Sequence, residues 1–307
     1  MYRQPYIQGQ TGHYSMNILQ KFLSREQPNS GDAHSPMAEM NYPAVLASLA
    51  PGLTVSKISD IGQVRERNED AYLAMDLTLQ NDDGLVPLGL YIVADGMGGH
   101  QKGEIASSLA AQVSARNILQ DVFLPFLSAD KQNDSRRPIN EALIDAVQAA
   151  NLTVYQQVPE AGTTLTLALV FGHKVYVAHV GDSRAYIFNQ ATLRQITQDH
   201  SLVARLVELG QATPEEALTH THRNVLYRAI GQAGSLEVDT YLQPFPVGSC
   251  LLLCSDGLWG VVSDEEIADI LTYAPTPQKA LEQMVAAANQ KGGEDNITAV
   301  LVFMGEA

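Results

Sequence analysis

Four short acidic stretches each join an aspartate to a glycine, serine or asparagine at the edge of an apolar run: Asp95-Gly96-Met97-Gly98-Gly99, Gly181-Asp182-Ser183-Arg184, Ser255-Asp256-Gly257 and Glu294-Asp295-Asn296. Hard divalent cations need oxygen ligands brought from separate chain segments and held on rigid strand ends, beside small residues that admit water and phosphate. The apolar run Leu88 to Ala94 stops at Asp95, Cys250 to Cys254 stops just before Asp256, and Asp295 comes just before the run Ile297 to Phe303. Two of these carboxylates therefore follow strands and the third precedes one. Because the start of one antiparallel strand lies beside the end of its neighbour, the three are expected to converge at one sheet edge.

The elements that must hold them follow from pattern. Glu104 to Val122 and Ile139 to Val158 carry apolar or small residues at helical spacing (Ile105, Leu109, Val113; Leu143, Val147, Val154), with a polar connector, Ala129 to Pro138, between them. They predict two antiparallel helices over a sheet. Thr164 to Val170, the turn Gly172-His173-Lys174 and Val175 to Val180 predict a β-hairpin, with Ala185 to Phe188 as the next strand. Ser263 with Glu266 makes a capping box, and Thr276-Pro277 opens a last helix that Gly292 closes. Asp199 to Gly234 reads as an insert, with a short helix Ser201 to Leu209 ended by Gly210 and another capped at Thr213-Pro214-Glu215-Glu216. Residues 1–52 are polar and mixed, with one amphipathic helix expected from Met16 to Leu23, and are taken as a partly disordered extension.

Two further stretches complete a pattern: Arg65-Glu66-Arg67-Asn68-Glu69-Asp70 upstream and Ala161-Gly162-Thr163-Thr164 in the middle, followed by Arg223-Asn224-Val225-Leu226-Tyr227-Arg228-Ala229-Ile230-Gly231. Their types and order, from about Thr54 to Phe303, resemble the metal-dependent serine/threonine protein phosphatases of the 2C class, in the form of the bacterial branch. The resemblance implies an α+β fold, a four-layer α-β-β-α sandwich of two antiparallel sheets flanked by helices. It implies a catalytic domain over 53–307 with 199–234 as a flap beside the active site. It also implies hydrolysis of phosphoserine and phosphothreonine by direct attack of a water bridging two Mn²⁺ or Mg²⁺ ions. In that reading Asp95 bridges the ions, the Gly96 carbonyl serves one, and Asp256 with Asp295 serve the other. Asp70 holds metal-bound water, with Glu69 more doubtful, and Asp182 faces a third, weaker ion. Some relatives add an aspartate four residues after the Asp of the Ser-Asp-Gly motif, where this chain has Gly260. Arg65, four residues before Glu69, matches the phosphate clamp, with Arg67 as the fallback. Some relatives place a histidine directly after the Asp-Gly pair; that position is Met97 here, so His100 is the candidate general acid. His179 reads as a satisfied core histidine and is given no role.

Composition narrows the alternatives. In 307 residues, 45% are apolar, enough for a sizeable core, and 34 acidic against 19 basic residues give a formal charge of -15. That field repels nucleic acid and anionic membrane while concentrating dications. The two cysteines, Cys250 and Cys254, share one predicted strand and stand roughly 13 Å apart at about 3.3 Å per residue, too far to pair. No apolar run reaches the ~20 residues of a membrane span and no signal-peptide core follows Met1, so a cytoplasmic setting is expected. The resemblance implies phosphorylated proteins, products of a serine/threonine kinase, as partners, and a monomer is expected. The competing readings are a phosphoprotein-binding pseudophosphatase and a hydrolase of small phosphate esters.

Overall fold

Antiparallel strands carry most of the order. The computed structural model describes residues 52–81, 84–98, 101–128, 137–213, 216–217 and 220–305. The expected helix from Met16 to Leu23 and His100 lie outside these residues. The chain divides between Glu39 and Met40, and the described residues all belong to the second part.

In chain order the strands are β1 Leu53–Asp60, β2 Asp70–Asn81, β3 Gly84–Met97, β4 Gly162–Thr163, β5 Leu165–Phe171, β6 Lys174–Val180, β7 Arg184–Asn189, β8 Thr192–Gln195, β9 Asp239–Pro244, β10 Cys250–Cys254 and β11 Ile297–Met304. One sheet has the order β1-β11-β10-β7-β8, and the other β2-β3-β5-β6-β9, with β4 paired to the end of β3. All these pairings are antiparallel. The hairpin is found as β5 and β6, turning at Gly172-His173.

The helices are α1 Lys102–Ile118, α2 Ile139–Gln157, α3 Leu202–Glu208, the single turn α4 Asp256–Trp259, α5 Asp264–Tyr273 and α6 Pro277–Gln290. The helix begun by α1 runs on through a π turn, Leu119–Phe123, and a last turn, Leu124–Leu127. The caps expected at Ser263 and Thr276 are present, accepting from the Glu266 and Lys279 amides, and Ser201 also caps its helix by accepting from the Ala204 amide. Thr213 and Glu216 bond each other's amides in a capping box. No helix among the described residues is long and apolar enough to cross a membrane.

Alternation along the strands separates three apolar layers. Leu88, Leu90, Ile92 and Ala94 of β3 pack with α1 and α2, whereas Tyr91 and Val93 face the other sheet. On β10, Cys250, Leu252 and Cys254 face α5 and α6, whereas Leu251 and Leu253 meet Tyr91 and Val93 between the sheets. The result is the expected helix-sheet-sheet-helix order. Both thiols are free, and burial pushes Cys250 up to about 12 and Cys254 higher still.

One detail of α1 departs from the sequence pattern. Ile105, expected on the buried stripe, is exposed, while Ala106, Ser107, Ala110 and Ser114 are buried. The reason is distance: Gly103 and Gly96 approach so closely that a Cβ on Gly96 would lie 2.2 Å from the Gly103 carbonyl oxygen. A helix this near a strand carrying Asp95 tolerates only small side chains on the facing side.

His179 is 0% exposed, with Nε2 donating to the Gln198 carbonyl at 3.1 Å and Nδ1 2.9 Å from the Thr166 hydroxyl. It is the core histidine that the sequence suggested. Burial, with His200 beside it, pushes its pKa down to about 3. Since the unfolded chain binds that proton near pH 6.5 and the folded one does not, stability is complete above pH 6.5 and falls as pH drops towards 3. Between pH 6.5 and 5 this histidine alone should cost about 2 kcal/mol. Urea unfolding of the wild type and His179→Gln at both pH values checks it, and an equal acid loss in the two proteins would contradict it.

Candidate active site

The register places Asp70 of β2 directly opposite Asp95 of β3. Asp256 follows β10 and begins α4, Asp295 lies just before β11, and Asp182 sits in the turn between β6 and β7. The carboxylates meet, but not as expected at the edge of one sheet. Asp70 and Asp95 come from one sheet and Asp256 and Asp295 from the other, so the cluster sits where the two sheets face each other. Period-2 patterns show which residues end a strand but not which sheet the strand joins.

Each position is tied down locally. The Asp95 amide donates to Thr164 Oγ1 at 2.8 Å, and its carbonyl accepts from Thr163 Oγ1 at 2.8 Å and from the Thr164 amide at 2.9 Å. The Gly96 amide donates to the Glu69 carbonyl at 3.1 Å. Ser255 Oγ donates to Asp70 Oδ2 at 2.8 Å and accepts from the Thr298 amide at 3.0 Å. Asn296 closes the arrangement: its Nδ2 donates to the Ile61 and Arg67 carbonyls, both at 2.9 Å, and its Oδ1 accepts from the Glu69 amide at 2.8 Å. A side chain next to Asp295 thereby holds the loop that carries Arg65.

The electrostatics are those of crowded anions. Burial, and then Asp256 and Asp295, push Asp70 up to about 8. Burial and the neighbouring aspartates hold Asp95 and Asp182 well above the usual carboxylate range. Asp256 is raised by burial and Asp295, and its carboxyl group is within hydrogen-bonding reach of Asp95. Oδ1 of Asp70 and Oδ1 of Asp256 are shut off from solvent without a hydrogen-bond partner. A buried carboxylate oxygen without a donor is costly, and a shared proton or a cation is what offsets it.

Arg65 lies 48% exposed at the mouth, with Nη2 donating to Asp295 Oδ2 at 2.7 Å; that bond, foremost, raises its pKa. Its partner is Asp295 rather than the adjacent Glu66 or Glu69. Arg65 lines a cleft of about 1150 Å³ with Asp182, Asp256, Asp295, Trp259 and Arg223, and Arg67 is not among the lining residues. Glu69 is raised by burial, against the opposing pull of Arg65. Among the described residues no three His, Cys, Asp or Glu side chains form a ready cage for one ion. The donor set nevertheless fits small hard dications: several carboxylates, a backbone carbonyl and two unmatched buried oxygens, with room left for water.

Sequence reasoning passed over Ser255, Asn296 and the Arg184 cluster, although the first two stand inside quoted motifs. Arg184 clasps Asp199 through Nη2 at 2.7 Å and lies 3.5 Å from the Trp259 ring centroid. Asp199 and His200, at the start of the insert, are both buried.

The sequence profile described as Protein phosphatase 2C matches residues 63–301. The chain belongs to the protein phosphatase 2C family. Among its relatives within that family, the serine/threonine phosphatase stp of Listeria welshimeri is 38% identical over 245 residues, spanning 80% of this chain and 93% of the relative. The solved serine/threonine phosphatase PstP/Ppp of Mycobacterium tuberculosis superposes with a TM-score of 0.69 at 33% identity, covering 83% of this chain and 99% of that one. A PstP catalytic domain solved with two manganese ions gives a TM-score of 0.66 at 32% identity, over 83% and 99% of the two chains. The 2C fold, with two antiparallel sheets between helices, is therefore the fold of this chain as well.

Proposed function

We propose that this metal-dependent serine/threonine protein phosphatase removes phosphate from phosphoserine and phosphothreonine in proteins by direct attack of water, at a centre built by Asp95, Gly96, Asp256 and Asp295. The observation that carries the reading is the pair of shut-off, unpartnered oxygens on Asp70 and Asp256 inside the aspartate cluster. Two divalent ions, Mn²⁺ or Mg²⁺, supply Lewis acidity and a water of lowered pKa when bound. Asp95 would be shared between them, the Gly96 carbonyl would serve one, and Asp256 and Asp295 would serve the other. Asp70, gripped by Ser255, would orient an outer water. Arg65 exchanges its bond to Asp295 for the phosphate oxygens, for which a guanidinium offers two parallel donors. Attack at phosphorus expels the serine or threonine oxygen, which takes up a proton; His100 is the side chain proposed to give it.

The catalytic domain is assigned to 53–307 with its flap at 199–234, and its substrates are products of a serine/threonine kinase. The test is phosphate release from a phosphothreonine peptide with and without Mn²⁺, in competition with a small aryl phosphate. Mn²⁺-dependent release that the small ester displaces only weakly is expected. Turnover of the small ester alone would point instead to a small-molecule hydrolase.

A third, weaker ion is proposed at Asp182, sharing Asp256. Gly260 leaves one carboxylate fewer there, so the ion should bind loosely. Asp182→Ala is expected to lower turnover by about 10- to 100-fold while the two core ions still bind, as ligand-shell losses usually do. Calorimetry with Mn²⁺ beside turnover measures both. Wild-type turnover at every Mn²⁺ concentration would leave Asp182 a turn residue.

A further inference from the structure

Both ends of the flap are hydrogen-bonded to the backbone that carries the cluster. At the first end the His200 amide donates to the Gly181 carbonyl at 2.7 Å, and the Gly181 amide donates back to His200 Nδ1 at 3.1 Å. At the other end Ile230 and Thr163 exchange amide-to-carbonyl bonds of 2.9 and 3.1 Å, and Thr163 in turn bonds the Asp95 carbonyl. The two ends also hold each other. The Tyr227 amide donates to the His200 carbonyl at 3.0 Å, and Arg228 Nη1 donates at 2.8 Å to Asp239, whose other oxygen lies 3.2 Å from His200 Nε2.

His200 is the one side chain in this set that bonds the turn carrying Asp182. An amide can donate only to a bare ring nitrogen, so the bond from Gly181 needs an unprotonated Nδ1; Nε2 lies between Asp239 Oδ2 at 3.2 Å and Arg228 Nη1 at 3.0 Å. Gly181 has φ +112°, and a Cβ there would lie 2.6 Å from Thr164 Cβ, so the turn rests directly on Thr164. The Thr164 hydroxyl accepts from the Asp95 amide at 2.8 Å and meets Ser183 Oγ at 2.7 Å. Imidazole, turn, threonine and Asp95 thus form one continuous set of bonds.

We propose that His200 is a positioning residue that couples the flap base to the Gly181-Asp182-Ser183 turn and so presents Asp182 to the cleft in register with Asp95. Its consequence for turnover rests on the reading of Asp182 as an ion ligand. The two can be separated by comparing His200→Ala, His200→Asn and His200→Gln. The Asn oxygen can stand where Nδ1 stands and keep the acceptor for Gly181. The Gln side chain reaches towards Asp239 but offers Gly181 nothing, so it carries the contrast with Asn if the alanine variant does not fold.

Amide hydrogen exchange at Gly181, followed by NMR without added metal, reads the positioning itself. Mn²⁺ dependence of kcat and KM for a phosphothreonine peptide reads its consequence. Loss of one ordinary hydrogen bond should speed Gly181 exchange about five- to tenfold in His200→Ala and His200→Gln and raise the half-activating Mn²⁺ concentration by a similar factor, with His200→Asn close to the wild type. Unchanged exchange in His200→Gln, or a loss in His200→Asn as large as in His200→Gln, would overturn the proposal. Faster exchange with an unaltered Mn²⁺ response would also overturn it, leaving His200 a structural residue, while the reading of Asp182 as an ion ligand stands or falls separately with Asp182→Ala.

Discussion

Asp95→Asn and Asp256→Asn should each lower kcat by about 10²- to 10³-fold, the loss that follows removal of one preorganised electrostatic group from an active site. Each change deletes a negative charge where two dications are proposed to sit close together, so Mn²⁺ affinity must fall with it. The same change should act oppositely on the metal-free protein. Asp95 and Asp256 stand within reach of each other's proton, and the Asp256 Oδ1 has no donor, so the folded chain carries a cost that asparagine relieves. A gain of about 0.5–2 kcal/mol in urea unfolding without metal is expected, as for other strained functional groups. Lower activity with lower stability would mean that these carboxylates serve the fold.

Arg65→Ala should raise KM for a phosphopeptide by about 10- to 100-fold, the worth of a charged hydrogen bond, with a smaller change in kcat. Because Arg65 now holds Asp295 at 2.7 Å, its removal frees that carboxylate, and Mn²⁺ affinity should be unchanged or tighter. Arg67→Ala should do much less, since Arg67 enters the network through its carbonyl, which accepts from Asn296 Nδ2, and does not line the cleft. Steady-state kinetics on both variants beside calorimetric Mn²⁺ titration make the comparison. The reverse ranking would make Arg67 the clamp.

Much of this was legible because it is local. Asp256 could be placed just past a strand because an apolar run stops there, and Ser263 and Thr276 could be read as caps because a cap is decided within four residues. Asp95, expected just past its strand, lies inside β3, which runs on to Met97 because Asp95 pairs with Asp70 and Gly96 and Met97 pair with β4. The buried side of α1 was misjudged at Ile105, since apolar spacing says nothing about how near Gly96 brings the strand. Which sheet each aspartate belongs to was also hidden, because β3 and β10 look alike as apolar runs while one faces α1 and the other α5. The least legible residues are those whose role is a contact across the chain. Asn296 was in view beside Asp295, yet its three bonds reach Ile61, Arg67 and Glu69 more than 200 positions away. His200 was in view at the start of the insert, and only the folded chain brings its ring to Gly181.

Everything proposed for the site requires that the aspartates gathered between the sheets hold two dications. Anomalous diffraction at the manganese edge, from crystals of the wild type grown with MnCl₂, addresses it without any assay. Two peaks are predicted, both touching Asp95, one also touching the Gly96 carbonyl and the other Asp256 and Asp295. A full-occupancy manganese elsewhere on the chain with none at Asp95, or none at all at saturating MnCl₂, would contradict it.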